Sequence, residues 1–130
     1  MVVDRENEKR RLTLAKNFSF LIFPAYLAAL VLIALLPLNG PGSGMEDVFV
    51  LSLRLDYLLH GVMFVPFICL ARRSPYRHFP GFLLLISALA FAAFCEIIQW
   101  PLSYRAFNVN DLVANLAGVL VGWLLFILFR

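Results

Sequence analysis

Seven polar side chains with acid–base or anion-binding chemistry interrupt the long apolar runs of this chain. They occur between positions 56 and 115: Asp56, His60, Glu96, Gln99, Arg105, Asp111 and Asn115. A histidine beside a carboxylate can take up and release a proton near neutral pH, and a guanidinium group suits a phosphate or a carboxylate. The residue types therefore predict either a binding site for a polar or anionic ligand or a site of acid–base catalysis.

The seven residues divide into two groups by their chemistry. The candidate catalytic residues are the histidine and two of the carboxylates: His60, Asp56 and Glu96. The candidate ligand-binding residues are the remaining four, with the arginine as the holder of an anion: Arg105, Gln99, Asp111 and Asn115. Asp, Glu and His are also metal ligands, but the chain has no motif of the H-E-x-x-H kind, and residue type alone supports a metal only weakly. We therefore predict neither a metal nor another cofactor.

The same residues also have structural interpretations. Asp111 could cap the start of a helix, with Asn110 sharing that role. Glu96 and Arg105 could form an ion pair, and His60 could hold neighbouring helices together, because buried polar networks can specify packing. The sequence leaves these alternatives open.

The composition of the chain is that of an integral membrane protein. Of its 130 residues, 62% are hydrophobic and 13 are Phe, and the mean hydropathy is +0.87. Average globular chains are only about 45–50% apolar, and a soluble domain of this size has too little interior to hide so much apolar surface. We predict a single domain whose main partner is the lipid bilayer.

The apolar runs predict four membrane-spanning helices, each of which needs about 20 apolar residues. The runs cover about 18–38, 52–71, 82–102 and 111–129. The predicted fold is all-α, a polytopic bundle of four transmembrane helices over residues 18–130, preceded by a charged tail over residues 1–17. A cleaved signal peptide is the less favoured interpretation of the first run, because signal cores have roughly 7–15 apolar residues.

The basic residues predict the orientation of this bundle. Nine of the eleven Lys and Arg residues fall on one side of it: Arg5, Lys9, Arg10, Arg11, Lys16, Arg72, Arg73, Arg77 and Arg130. Because Lys and Arg in short loops mark the cytoplasmic side, we predict that both termini are cytoplasmic. The net charge of +3 then suits contact with anionic lipid head groups, and we predict no nucleic-acid partner. In this topology all seven polar groups fall at the outer end of the bundle.

The polar residues continue the predicted packing faces of the helices. In the fourth helix, Asp111 and Asn115 lie one turn apart on one face. Gly118 and Gly122 extend the same stripe with the G-x-x-x-G spacing that permits close helix contact. We therefore expect a packed bundle with a polar cup at its outer mouth. A charge at the centre of a membrane helix costs about 2.5–3.5 kcal/mol on insertion scales, so buried charges of this kind are functional candidates.

The pattern of these residues resembles the VanZ-like family of small bacterial integral membrane proteins. The shared features are D-x-x-x-H at 56–60, the stretches E-I-I-Q and D-L-V-A-N-L-A-G, and the arginine loop between them, over residues 50–130. The chain departs from the family pattern at three places. Tyr57 stands in place of a frequent Lys, Ser103-Tyr104 in place of Pro-Gly, and Asn108 in place of an acid.

The resemblance implies a multi-pass protein of the bacterial cytoplasmic (inner) membrane that acts in the cell envelope. The family's founding member is tied to low-level resistance to the glycopeptide teicoplanin, so the resemblance also implies an influence on glycopeptide susceptibility. We expect the outward polar cluster to bind a lipid head group or a cell-wall precursor. The alternatives are a membrane-embedded hydrolase or transferase acting on an envelope lipid, and a non-catalytic partner subunit or scaffold. The sequence does not determine the oligomeric state.

Overall fold

The computed structural model describes residues 20–36, 48–50, 53–74, 78–103 and 107–129, and within them the chain is mostly helical. The helices are α1 (Phe20–Leu35), α2 (Leu55–Phe64), α3 (Phe67–Arg73), α4 (Gly81–Ile97) and α5 (Val109–Leu128). Two short strands, β1 (Phe49–Val50) and β2 (Leu53–Arg54), pair antiparallel directly before α2. The predicted tail over residues 1–17 lies outside the described residues.

The second predicted helix is divided into α2 and α3 by a turn at Val65 and Pro66. Proline has no backbone N–H, so Pro66 cannot continue the helical hydrogen bonding to the carbonyl oxygen of Val62. The N–H of Val65 donates to that oxygen instead, at 3.3 Å. The hydroxyl of Tyr26 in α1 donates to the carbonyl oxygen of Met63 at 2.6 Å, so this hydrogen bond joins α1 to α2 just before the turn.

Helix α1 runs antiparallel to α2 and α3. Tyr26 contacts Met63 near the end of α2, whereas Phe23, one turn earlier in α1, packs edge-on against Phe67 of α3, with 5.3 Å between ring centroids. Earlier residues of α1 therefore lie against later residues of the α2–α3 pair. The apolar core continues from Phe67 to Phe91 of α4, whose ring centroid is 5.9 Å away.

Helix α4 runs antiparallel to α5. At the start of α4, a β-carbon on Gly81 would lie 2.8 Å from the ring of Trp123, near the end of α5. At the end of α4, Glu96 binds the backbone of Asn108, which directly precedes α5. Between these two contacts the small residue Ala92 is fully buried, which provides the close-packed face that positions Glu96.

Helices α2 and α5 run parallel and approach each other through glycines. A β-carbon on Gly118 would overlap the carbonyl oxygen of Gly61, and one on Gly122 would overlap that of Val65. On the other helix, a β-carbon on Gly61 would lie 3.2 Å from the carbonyl oxygen of Ala114. This confirms that the G-x-x-x-G stripe is a packing face, and it identifies the α2–α3 segment as the partner.

Helix α4 ends at Ile97, earlier than the predicted limit near residue 102. After that point the N–H groups of Gln99 and Trp100 bond to carbonyl oxygens three residues back, which tightens the last turn. Pro101 has no N–H to extend the helix. The shorter helix leaves Gln99 in a turn that stays close to the bundle.

Two helical segments within the described ranges are long and apolar enough to cross a membrane: Leu55–Arg73 and Val109–Leu128. The helices Phe20–Leu35 and Gly81–Ile97 are also apolar but shorter. Large apolar side chains project outward from the short and the long helices alike, as with Phe82 of α4, which is 62% exposed, and Leu124 of α5, which is 55% exposed. Such a surface is suited to contact with lipid.

Candidate functional site

The start of α2, the end of α4 and the start of α5 meet at one end of the bundle, and the predicted polar residues lie there. Six of the seven are described and are at most 8% exposed: Asp56, His60, Glu96, Gln99, Asp111 and Asn115. These six residues are named the polar cluster below. Arg105 lies outside the described residues. Because burying ionisable groups is costly unless they are paired, the contacts of each residue indicate what it can do.

His60 joins α2 to α5 by contacts from both nitrogens of its ring. Its Nδ1 atom lies 3.2 Å from Oδ1 of Asn115, and its Nε2 atom lies 3.9 Å from Oδ2 of Asp111. An amide oxygen only accepts hydrogen bonds, so Nδ1 is the donor in this arrangement. Asn115 thus orients the ring and directs Nε2 towards a carboxylate, which is the geometry of a group that can hold or transfer a proton.

Asp56 is held by Arg54, a residue that sequence reasoning did not include in the site. Nε and Nη2 of Arg54 donate to the two carboxylate oxygens at 3.2 and 2.7 Å, and the N–H of Tyr57 donates to Oδ1 at 3.0 Å. The guanidinium group also stacks over the Tyr57 ring, with 4.7 Å from Cζ to the centroid. This bidentate pairing is strong. In the sequence, the pairing was indicated only by the Arg-x-Asp spacing at the end of β2.

Glu96 and Gln99 hold the end of α4 in different ways. Oε1 of Glu96 accepts a hydrogen bond from the backbone N–H of Asn108 at 3.1 Å, which links α4 to the start of α5. Nε2 of Gln99 donates to the carbonyl oxygen of Cys95 at 3.0 Å, within its own helix end. The ion pair expected between Glu96 and Arg105 involves a residue outside the described ranges and stays a prediction.

The cap of α5 is Asn108, so the suggestion that Asp111 and Asn110 cap this helix was wrong. Oδ1 of Asn108 accepts from the N–H of Asn110 at 3.0 Å, which is the usual N-cap interaction. The side chain of Asn110 instead donates to the hydroxyl of Tyr57 at 3.2 Å. Asp111, in the first turn of α5, instead faces His60, with 3.9 Å between its Oδ2 atom and Nε2 of the ring.

The polar cluster offers hydrogen-bonding and acid–base groups, and its described part shows no metal-binding arrangement. Among the described residues, no three or more His, Cys, Asp or Glu side chains are placed so that they could hold a metal ion. The expectation that the protein needs no metal or other cofactor stays a prediction. A buried imidazole between an amide and a carboxylate can bind polar groups and exchange a proton with them.

Comparison with models of known protein families assigns the chain to a family. The model of the VanZ/LLP1 family matches residues 20–130, so the chain belongs to the VanZ/LLP1 family. The match confirms the resemblance drawn from the polar residues and extends it over α1. Neither a curated protein nor a solved structure matches the chain significantly. Family membership, together with two helical segments able to cross a bilayer, indicates a membrane protein.

Proposed function

We propose that this VanZ/LLP1 protein crosses the bacterial cytoplasmic membrane four times and binds an envelope component through its outward-facing polar cluster. The ligand is a lipid head group or a cell-wall precursor. The observation that carries the proposal is the contact of His60 with Asp111 and Asn115, all buried at one end of the bundle. Placing several ionisable groups there is costly in a membrane, and a binding role accounts for that cost.

The directions of the helices support the proposed topology. Successive apolar segments alternate in direction, as four consecutive membrane crossings require. Arg72 and Arg73 end α3 at the opposite end of the bundle from the polar cluster. Arg72 is fixed there by a hydrogen bond of 3.1 Å to the carbonyl oxygen of Phe79 and by stacking over Phe126 at 5.4 Å. Because basic residues mark the cytoplasmic side, the polar cluster then faces outward and both termini are cytoplasmic.

The proposed roles follow from the chemistry of each group. His60, Asp56 and Glu96 form the titratable centre, while Gln99 and Asn115 orient it. Arg105 and Asp111 complete the binding residues, and Arg105 holds the anion. Occupation of this site by a lipid or precursor at the outer surface would also alter glycopeptide (teicoplanin) susceptibility.

The test uses a water-soluble probe that has the head group and only short acyl chains. Dihexanoyl phosphatidylglycerol is titrated into the detergent-purified chain, and bound copies are counted by native mass spectrometry. Loss of a buried polar contact costs about 1–3 kcal/mol, so His60→Ala should weaken binding about tenfold. His78→Ala is the matched control, since His78 is the other of the two histidines and is exposed. Glu96→Gln tests the same site with an isosteric change.

Equal binding by wild type, His60→Ala and Glu96→Gln would refute a binding role for the polar cluster. Circular dichroism of each variant establishes that the helices are retained. A ligand that binds only when a second protein is present would instead favour the partner-subunit alternative.

One observation favours a second candidate function, a membrane-embedded hydrolase or transferase acting on an envelope lipid. Nε2 of His60 lies 3.9 Å from Oδ2 of Asp111, so a proton taken up by the ring would form an ion pair with that carboxylate. An enzyme of this kind should turn over a phospholipid or a prenyl phosphate, and its pH–rate profile should show titration limbs. His60→Ala should abolish this turnover. Turnover absent over the whole pH range for both probes would exclude these substrates.

A further inference from the structure

The polar cluster is closed in this structure. Its six residues are at most 8% exposed, and His60 at its centre is 6% exposed. A head group with several polar atoms cannot reach side chains that are buried to this degree. Because the proposed function requires such contact, part of the wall around the cluster must move when a ligand enters, as lids do in many binding sites.

A hydrogen bond between two side chains joins α2 to α5 beside the cluster. Nδ2 of Asn110 donates to the hydroxyl oxygen of Tyr57 at 3.2 Å. Both residues line a surface groove between the two helices. His60, three residues after Tyr57, and Asp111, directly after Asn110, are buried and do not line that groove. The hydrogen bond therefore lies between the surface and the buried pair of imidazole and carboxylate.

This hydrogen bond is more easily exchanged than the contacts behind it. Asn110 is exposed and Tyr57 is half-buried, so water or a polar head group can replace either partner. A hydrogen bond between neutral groups that is exchanged for one to water changes the free energy little. Both residues also lie in the first turn of their helices, and helix ends open more readily than helix interiors.

Farther from this end, glycine contacts hold the two helices together. A β-carbon on Gly118 would overlap the carbonyl oxygen of Gly61, and one on Gly122 would overlap that of Val65. Gly61 follows Tyr57 by four residues, which is about 6 Å along the helix at 1.5 Å per residue. An opening movement is therefore confined to the first turns of α2 and α5, where the polar cluster lies.

Tyr57 is positioned on α2 independently of its hydroxyl. Its backbone N–H donates to Oδ1 of Asp56 at 3.0 Å, and the guanidinium of Arg54 stacks over its ring with 4.7 Å from Cζ to the centroid. A phenylalanine at this position keeps both contacts and loses only the hydrogen bond to Asn110. Tyr57→Phe therefore isolates the role of the hydroxyl.

We propose that the hydrogen bond between Tyr57 and Asn110 is a latch that closes the polar cluster, and that a ligand enters between the first turns of α2 and α5 when the latch opens. The inference assigns a gating role to two residues outside the cluster. It rests on the proposed function only for what enters, because the latch is a property of the free protein.

The latch is tested by the rate at which diethyl pyrocarbonate modifies His60 in the detergent-purified chain. This reagent attacks a neutral imidazole nitrogen, so its rate at a fixed pH reports how often the ring becomes accessible. The chain has two histidines, and the second, His78, is exposed. Mass spectrometry of the two histidine-containing peptides therefore measures the rate at His60 against an internal reference in the same sample.

The variants remove the latch from either side. Tyr57→Phe removes the acceptor, and Asn110→Ala removes the donor. Tyr26→Phe is the matched control, because it also removes one tyrosine hydroxyl together with its hydrogen bond, here to the carbonyl oxygen of Met63. Circular dichroism of each variant establishes that the helices are retained.

Tyr57→Phe should raise the modification rate of His60 about fivefold relative to that of His78, which is the factor expected when the closed state loses one net hydrogen bond. Asn110→Ala should have the same effect. The double variant should react no faster than either single variant, because all three lack the same bond. Tyr26→Phe should match wild type.

Equal His60 rates in wild type and Tyr57→Phe would overturn the inference. An equal rise in Tyr26→Phe would also overturn it, because the change would then reflect a general loosening of the bundle. A wild-type His60 that reacts as fast as His78 would overturn it as well, since the cluster would already be open.

The proposed function is tested separately in the same assay by adding dihexanoyl phosphatidylglycerol, which should slow the modification of His60 and leave that of His78 unchanged. If the lipid gives no protection but Tyr57→Phe still raises the His60 rate, the proposed function fails and the latch stands. If the lipid protects His60 but the rates of wild type and Tyr57→Phe are equal, the proposed function stands and the latch is overturned.

Discussion

Replacing Arg54 with Gln removes the guanidinium that binds both oxygens of Asp56 at 3.2 and 2.7 Å. The carboxylate side chain is only 4% exposed, whereas that of Arg54 is 27% exposed. Breaking a buried pair by removing one partner costs about 3–5 kcal/mol. Because water reaches part of the Arg54 side chain, we expect the lower end of that range, about 3 kcal/mol, for Arg54→Gln.

A second change should reverse most of this loss. Asp56→Asn removes the buried charge that Arg54→Gln leaves behind, so the double variant should be much more stable than Arg54→Gln alone. The coupling free energy between the two positions is expected to be about 2 kcal/mol.

The assay is equilibrium unfolding of the purified chain by sodium dodecyl sulfate in mixed micelles, followed by circular dichroism. The four proteins of the double-mutant cycle are compared, with Arg73→Gln as the control for loss of an exposed arginine. A coupling free energy below about 0.5 kcal/mol would refute the pairing as a source of stability. The pairing would also be refuted if Arg54→Gln lowered the free energy of unfolding no more than Arg73→Gln does.

Three further predictions use the same unfolding assay. Gly118→Leu should prevent stable packing of α5 on α2, because even a β-carbon at Gly118 overlaps a backbone oxygen. Ala117→Leu is the control, one residue away and exposed, and should leave the free energy of unfolding nearly unchanged. Equal effects of the two variants would contradict the glycine contact. Asn108→Ala should lower the free energy of unfolding by about 1 kcal/mol, because it removes the N-cap of α5. If Asn108→Ala destabilised the chain less than Asn110→Ala, the cap would be misassigned. Tyr26→Phe should lower the free energy of unfolding by about 1 kcal/mol through loss of the hydrogen bond to the Met63 carbonyl oxygen; an unchanged free energy of unfolding would mean that this bond does not stabilise the packing of α1.

The helices and their packing faces could be predicted from the sequence because both depend on regular spacing. The apolar runs indicate helices, and the stripe from Asp111 through Asn115 to Gly118 and Gly122 lies on one helical face at 3.6 residues per turn. All four residues of that stripe are buried. The placement of the polar residues at one end of the bundle follows from the same periodicity and from short connections between helices.

The local contacts at the helix ends could not be predicted in this way. The stretch N-V-N-D offers three residues that commonly cap helices, and only the backbone register shows that Asn108 is the cap. Arg54 stands in an apolar stretch that resembles the start of a helix. It forms instead the last residue of a strand pair, which places it beside Asp56. Interactions of this kind depend on backbone turns that carry no periodic signal.

The central claim is that the polar cluster around His60 binds a polar head group, and the imidazole ring reports on this directly. The measurement is the ¹⁵N nuclear magnetic resonance spectrum of histidine-labelled chain before and after addition of dihexanoyl phosphatidylglycerol. We predict that the ring nitrogens of His60 shift on addition and those of His78 do not. A shift confined to His78, or no shift at either residue at saturating lipid, would contradict the claim.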